Sequence, residues 1–467
     1  MSDRRMPVPD RLDRRLAERI EGTVVGRGAP DYEARRTGLV WNGRPAPNCP
    51  DLIVRPDSVE DVRVAIAFAR EHGLCVDMRG SGHSYSGIFL HDGGMLLDLS
   101  ALDDIVPDPK AQTVSVGPGA TAGRIDAALA PHGLAFPVGH GAQVGIAGFL
   151  LGGGIGINGG AWGGMSCHNI LAADLVMADG RLVRASPDEN ADLFRALRGG
   201  GPGLPFAVVR FTLRCFRRPA HIGLVNHFVR FSRLPDLTQA IEGSTHRLDP
   251  RLQLMLAIVP APAGLAPRLQ EGDHGRVGAL TAIAFADDAN EAALLQAALD
   301  GAPALQAALH REAIDPADFA DIFAMTDMAL TAPRVRADNI FTDRLGDAVA
   351  TIMRHLPAAP SPACIPLIVR RNAPALRPDA AFSIRGRFSV STYAQSERAC
   401  EDAPTAAWLH RLYDDLLPIA SGSYVNEVDL EGRRDALDRC HSDAVREDLA
   451  AIRERHDPRR LFRRLAA

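Results

Sequence analysis

From about residue 50 the apolar positions change period repeatedly, from three or four residues to two and back. SVEDVRVAIAFAREHGL (58–74) sets Val62, Ile66 and Ala69 along one helical face. Ser58 and Asp61 stand at capping-box spacing before it, and Gly73 stops it. CVDMRG (75–80), MLLDLS (95–100) and TVSVGPG (113–119) are short apolar runs bounded by turn residues, which predicts strands. TAGRIDAALAPHGL (121–134) predicts a short helix closed by Gly133. ILAADLVMADGRLVRAS (170–186) reads as a hairpin whose strands meet at Asp179-Gly180. NADLFRALRGGG (190–201) is a helix running into glycines, and FAVVRFTLRCF (206–216) is a buried strand.

Near Pro219 glycine thins out and the strands lengthen. QLMLAIV, VGALTAIAFA, IPLIVRRN and FSIRGRFSV alternate with helices such as NEAALLQAALDG and DRLGDAVATIMRHL. A sheet covered by helices is the economical solution for such a segment. After a helix at 404–417, SGSYVNEVDLEG reads as loop, followed by a last helix and DPRRLF. The expected organisation is a first domain over 1–218, an inserted domain over 219–414, and a return of 415–467 to the first.

Composition narrows the function classes. The 467 residues are 46% hydrophobic and 23% charged, with a formal net charge of −5, so no basic footprint asks for nucleic acid. No window approaches a membrane span. The charged, proline-broken N-terminus MSDRRMPVPDRLDRRLAERI lacks the apolar core of a leader. Seven scattered cysteines without a CxxC pair argue for reduced thiols and against a zinc site. These features predict a cytoplasmic protein acting on a small molecule, with no metal; they leave its oligomeric state open.

Two stretches imitate familiar motifs. RGSGHSYSG (79–87) approaches the nucleophile elbow G-x-S-x-G, yet Ser86 stands where the second glycine belongs, and a loop and a strand follow instead of a helix. GIGING (154–159) satisfies G-x-G-x-x-G with Asp174 downstream. It lies inside AGFLLGGGIGINGGAWGG, too rich in glycine to open a helix. What remains is two glycine-rich segments, 79–87 and 139–164, whose bare backbone lets a large ligand approach N–H groups closely.

PDLIVRPDSVEDV, VDMRGSGHSYSG, MLLDLSALDDI, VSVGPGATAGRI, VGIAGFLLGGGIG, LVMADGRLV, LRGGGPGLPFAVV, SYVNEVD and DPRRLF, in that order, resemble the berberine-bridge-enzyme-like flavin oxidases of the vanillyl-alcohol-oxidase superfamily. The resemblance implies an α+β fold: a PCMH-type FAD-binding domain of two α/β subdomains, with an inserted substrate domain of antiparallel sheet covered by helices. It assigns to His83 a covalent bond to the flavin 8α-methyl group. Around it Arg79, Gly80, Ser81, Gly82, Ser84 and Tyr85 would form one cofactor loop. Gly139, Val144, Gly145, Gly148, Gly152 and Gly153 would form the second, with Val208, Tyr424 and Asn426 beside the flavin.

The chain departs from the pattern in four places. Gly141 stands where many members carry a second, cysteinyl link, so one covalent bond is expected, with Cys167 a buried thiol. Gly141 would leave space over the ring, and His140 beside it either faces substrate or simply packs. Pro205 and Ala207 replace asparagine and glycine next to Val208. Glu427 follows the asparagine where many members have a second tyrosine; it is either a general base or the partner of an arginine. The resemblance therefore implies an FAD-dependent oxidase of a small alcohol, amine or activated C–H compound, with Glu427, Tyr424 or Tyr393 as the base and O2 as acceptor. A natural-product intermediate is the expected substrate class. Tyr393 and Arg387 would stand on the substrate side. A dehydrogenase with another acceptor, and a flavoprotein without redox chemistry, are the alternatives.

Overall fold

The computed structural model describes residues 12–44, 47–371 and 376–464. Part of the N-terminal stretch on which the leader reading turns, residues 1–11, lies outside them, as does Asn372 of IPLIVRRN. Three larger sheets, with a two-stranded pair of Leu134–Ala135 and Phe216–Arg217, organise the described residues. The first has four strands in the order Thr23–Gly26, Leu52–Arg55, Met95–Asp98, Val76–Arg79, the last three parallel. The helix Val59–Glu71 makes the crossover and buries Val62, Ile66 and Ala69 as its period requires, with Ala65 and Phe68 beside them. Ser58 caps it by accepting the Asp61 N–H. The box is not reciprocal: the Asp61 carboxylate accepts instead from the N–H groups of Glu21, Gly22 and Asp57.

The second sheet is antiparallel, in the order Ile105–Asp108, Thr113–Val116, Phe206–Arg214, Ile170–Met177, Leu182–Ala185. Its hairpin turns at Asp179-Gly180, where Gly180 has φ +82°. The predicted short helix is Ala122–Leu129 followed by a 3₁₀ turn, closed by a left-handed Gly133.

The third sheet has seven antiparallel strands: His310–Ile314, His221–Arg230, Arg276–Ala286, Leu252–Pro260, Ile365–Arg370, Phe388–Ser396 and Arg334–Thr342. Even-numbered residues such as Leu254, Leu256, Leu280, Ile368 and Val390 pack under the helices Leu234–Ser244, Leu345–His355 and Asp402–Leu416. The odd-numbered residues Met255, Thr281, Leu367, Val369, Ser389, Ser391 and Tyr393 face the other way, into a cavity. FSIRGRFSV is strand only from Phe388, because Gly386 holds φ +144° just before it. A helix not expected from the sequence, Phe319–Ala329, crosses this inner face.

The C-terminal segment is tied to both parts. Phe341 pairs with Gly422, and the Asn339 side chain bonds both backbone groups of Tyr424 (2.6 and 2.8 Å). Beyond the helix Asp443–His456, Phe462 lies parallel to Val76 at the edge of the first sheet. Among the described residues no helix is long and apolar enough to cross a membrane, and no group of three or more His, Cys, Asp or Glu is placed to hold a metal.

Candidate active site

The loop after strand Val76–Arg79 is built by one side chain. Arg79 donates to Asp98 Oδ1 (2.6 Å), Leu39 O (2.8 Å), Gly80 O (3.0 Å) and Ser81 O (2.9 Å). Its planar fork suits this divergent set of acceptors, and the parallel register sets Asp98 directly opposite. Gly82 has φ +78°, and a Cβ there would fall 2.0 Å from Leu39 O. His83 emerges from this turn and stacks on Trp41, with ring centroids 4.6 Å apart and planes 11° from parallel. Burial pushes the His83 pKa down, opposed by the negative Asp327 at the cavity rim. A neutral imidazole with a lone pair is the form a covalent bond to carbon requires.

The second loop docks on the first. Gly145 leaves room for Ser81, whose Oγ would sit 2.2 Å from a Cβ at that position. Gly145 caps the short helix Ile146–Leu151, and nothing lies within 4 Å of where a Gly148 Cβ would be. Gly148 therefore faces open cavity. Gly141 borders the cavity too, but a Cβ there would meet Val144 at 3.3 Å and Thr326 at 3.7 Å.

The third wall joins SYVNEVD to the inner face of the large sheet. Glu427 accepts from Ser391 Oγ (2.5 Å) and Tyr393 OH (3.1 Å). It has no arginine partner among the described residues: Arg336 is engaged by Asp429 and Glu431, and Arg433 by Asp338. Burial raises the Glu427 pKa and outweighs the two donors, which lower it. Tyr393 also packs against Tyr85, with ring centroids 5.7 Å apart, and burial raises both phenols well above the ordinary value. Tyr424 OH accepts from Asn426 Nδ2 (2.9 Å), and burial raises its pKa too. Asn426 Nδ2 also reaches the carbonyls of Gly148 and Phe149, so it pins the helix Ile146–Leu151 against the C-terminal segment.

These walls enclose one cavity of about 660 Å³. Every residue expected at the site borders it except Gly152, Gly153 and Arg387. Gly152 stands behind the wall, where a Cβ would collide with Asn426, and Gly153 packs on Phe382 and Met165. The rest of the second glycine run serves packing as well: a Cβ on Gly156 would lie 2.3 Å from Pro137 O. Residues 154–156 are irregular and 157–163 are turns, so no helix opens at GIGING. Cys167 is buried away from the cavity, with burial pushing its thiol up to about 12. Arg387 also lies away from it, half-buried and paired with Asp343.

Trp41, Ser389, Ser391, Asp98 and the helix Phe319–Ala329 were not anticipated. The alternation of Ser389, Ser391 and Tyr393 with Val390 and Thr392 was the available signal for a polar stripe on one strand face. Two sealed polar atoms of cavity-lining residues, Trp41 Nε1 and Ser389 Oγ, have no hydrogen-bond partner among the described residues. A bare Gly148 and a cavity of this size fit a large ligand such as FAD.

Comparison with known proteins agrees. The family of FAD binding domains matches residues 50–186. FAD-linked oxidoreductase penO of Penicillium crustosum is 38% identical over 197 residues, 42% of this chain and 43% of that protein. (R)-6-hydroxynicotine oxidase of Paenarthrobacter nicotinovorans is 36% identical over 190 residues, 41% of this chain and 40% of that one. The chain thus spans about two-fifths of the length of these curated relatives. The BBE-like 1 protein of Physcomitrella patens superposes with a TM-score of 0.83 at 19% identity, over 97% of this chain and 98% of that one.

Proposed function

We propose that this chain, which carries an FAD binding domain within the berberine-bridge-enzyme-like fold, is an FAD-dependent oxidase of a small alcohol, amine or activated C–H compound. The observation that carries the reading is Glu427: a desolvated carboxylate, with no arginine partner among the described residues, lining the same cavity as the His83 loop. FAD, when bound, supplies a hydride acceptor that O2 can reoxidise with release of hydrogen peroxide. The chain's residues supply the rest. His83 tethers the cofactor at its 8α-methyl group, and Arg79 holds the loop that presents His83.

Glu427 takes the substrate proton on its carboxylate oxygen. It is preferred to Tyr393 and Tyr424 because burial keeps both phenols protonated, and because Tyr393 already donates to it. Ser391 and Tyr393 fix the carboxylate's orientation, and the apolar side chains of Met255, Leu367 and Val369 exclude water from beneath it. Small natural-product alcohols and amines are the substrates to screen first.

The test mixes the holoenzyme anaerobically with such compounds and follows the flavin absorbance, then admits oxygen and assays peroxide. Bleaching by the wild type but not by Glu427→Gln, followed by stoichiometric peroxide, is expected. Bleaching that Glu427→Gln performs equally fast contradicts the assigned base. Failure to reoxidise on admitting oxygen contradicts O2 as the acceptor, and no bleaching by any compound contradicts a redox role.

A further inference from the structure

His140 and Gln253 form a pair that the proton-transfer scheme leaves unused. Gln253, on strand Leu252–Pro260, is 9% exposed and spans the gap between the sheet and the second glycine loop. Its Oε1 accepts the backbone N–H of Asn158 at 2.8 Å. A backbone N–H can only donate, so this end of the amide is oxygen and the other end is NH2. That NH2 lies 2.7 Å from His140 Nε2 and can only donate in its turn. Nε2 therefore presents its lone pair, and the proton of the neutral ring resides on Nδ1. Protonating the ring would set an N–H against an NH2. Burial acts in the same direction and pushes the His140 pKa down to about 4. Nδ1 has no hydrogen-bond partner among the described residues and is not among the sealed orphan atoms, while the residue borders the cavity.

We propose that Gln253 locks His140 as an uncharged imidazole whose Nδ1–H faces the cavity and donates a hydrogen bond to the molecule bound there. The ligand feature it takes is an acceptor: a carbonyl, ether or hydroxyl oxygen, or an unprotonated ring nitrogen. A bare ammonium finds no acceptor at that position. The donor's part in turnover rests on the oxidase reading of the cavity, whereas the tautomer does not.

The experiment is a two-bond ¹H–¹⁵N correlation spectrum of holoprotein labelled with ¹⁵N-histidine, assigned by the signals missing from His140→Asn. A single Nδ1–H tautomer, unchanged between about pH 5.5 and 8, is expected, where an ordinary histidine would titrate. Gln253→Glu keeps an acceptor for Asn158 but replaces the donor facing His140 by a carboxylate. The ring then becomes Nε2–H and its pKa rises by at least about one unit.

An Nε2–H ring in the wild type, titration near the ordinary value, or a spectrum unmoved by Gln253→Glu overturns the lock. If Gln253→Glu does not fold, the wild-type tautomer and pH series decide alone. For compounds that bleach the flavin and carry an acceptor, His140→Phe is expected to raise KM about tenfold or more with kcat changed less. An unchanged KM overturns the donor role. A locked tautomer in a protein that binds no FAD would instead leave the lock standing and remove the oxidase reading.

Discussion

At the scale of single residues, Glu427 sets the expected pH behaviour. A base must be ionised, so the rate falls as pH drops through its pKa, and burial displaces that limb above the ordinary glutamate range. Glu427→Gln should abolish the limb and lower kcat/KM by about 10²- to 10⁴-fold. Ser391→Ala should move the limb further up, because it removes a donor that favours the carboxylate. A kcat/KM profile against pH for the three proteins checks both; a limb in the ordinary glutamate range in the wild type would contradict them. The stability sign is opposite to that of a salt-bridged acid. Because its folded pKa is raised, Glu427 contributes stability as pH falls through that pKa, when it becomes neutral. His83, Tyr424 and Glu427 could be read from the sequence because each sits in a short local motif. The contacts of Trp41 with His83 and of Ser391 with Glu427 could not, since they join residues far apart in the chain.

At the scale of elements, two side chains carry the placement of the site. Arg79 and Asp98 are only 11% and 9% exposed, and Arg79 also satisfies three loop carbonyls. Arg79→Met leaves the Asp98 charge buried without its partner, which costs about 3–5 kcal/mol. Urea denaturation should show that loss together with reduced FAD content, and Arg79→Lys should not restore it, because a single ammonium cannot reproduce the fork. Asn339→Ala orphans both Tyr424 backbone groups at about 1–3 kcal/mol each, and should weaken FAD retention by loosening SYVNEVD from strand Arg334–Thr342. Element types were legible wherever apolar period and turn residues agreed, as in Val59–Glu71 and the hairpin at Asp179-Gly180. The role of the glycines was less legible in the run 152–164. Composition there reports how closely backbone is approached, and the approaching groups are Asn426, Phe382 and Pro137 rather than a ligand.

For the whole molecule, the cavity exists only where the two glycine loops, the odd-numbered face of the seven-stranded sheet and the C-terminal segment meet. The order of these parts along the chain could be read in advance; their convergence rests on long-range contacts such as Ser81 with Gly145 and Asn339 with Tyr424, which no local pattern encodes. The claim that unites them is that the cavity holds FAD bonded to His83. The most direct measurement is acid precipitation of the purified protein, washing, and a reading of flavin absorbance and fluorescence on the polypeptide, for the wild type, His83→Ala and Cys167→Ala. The account predicts flavin retained by the wild type and Cys167→Ala and washed out of His83→Ala. Flavin released from the wild type, or retained by His83→Ala, would contradict it.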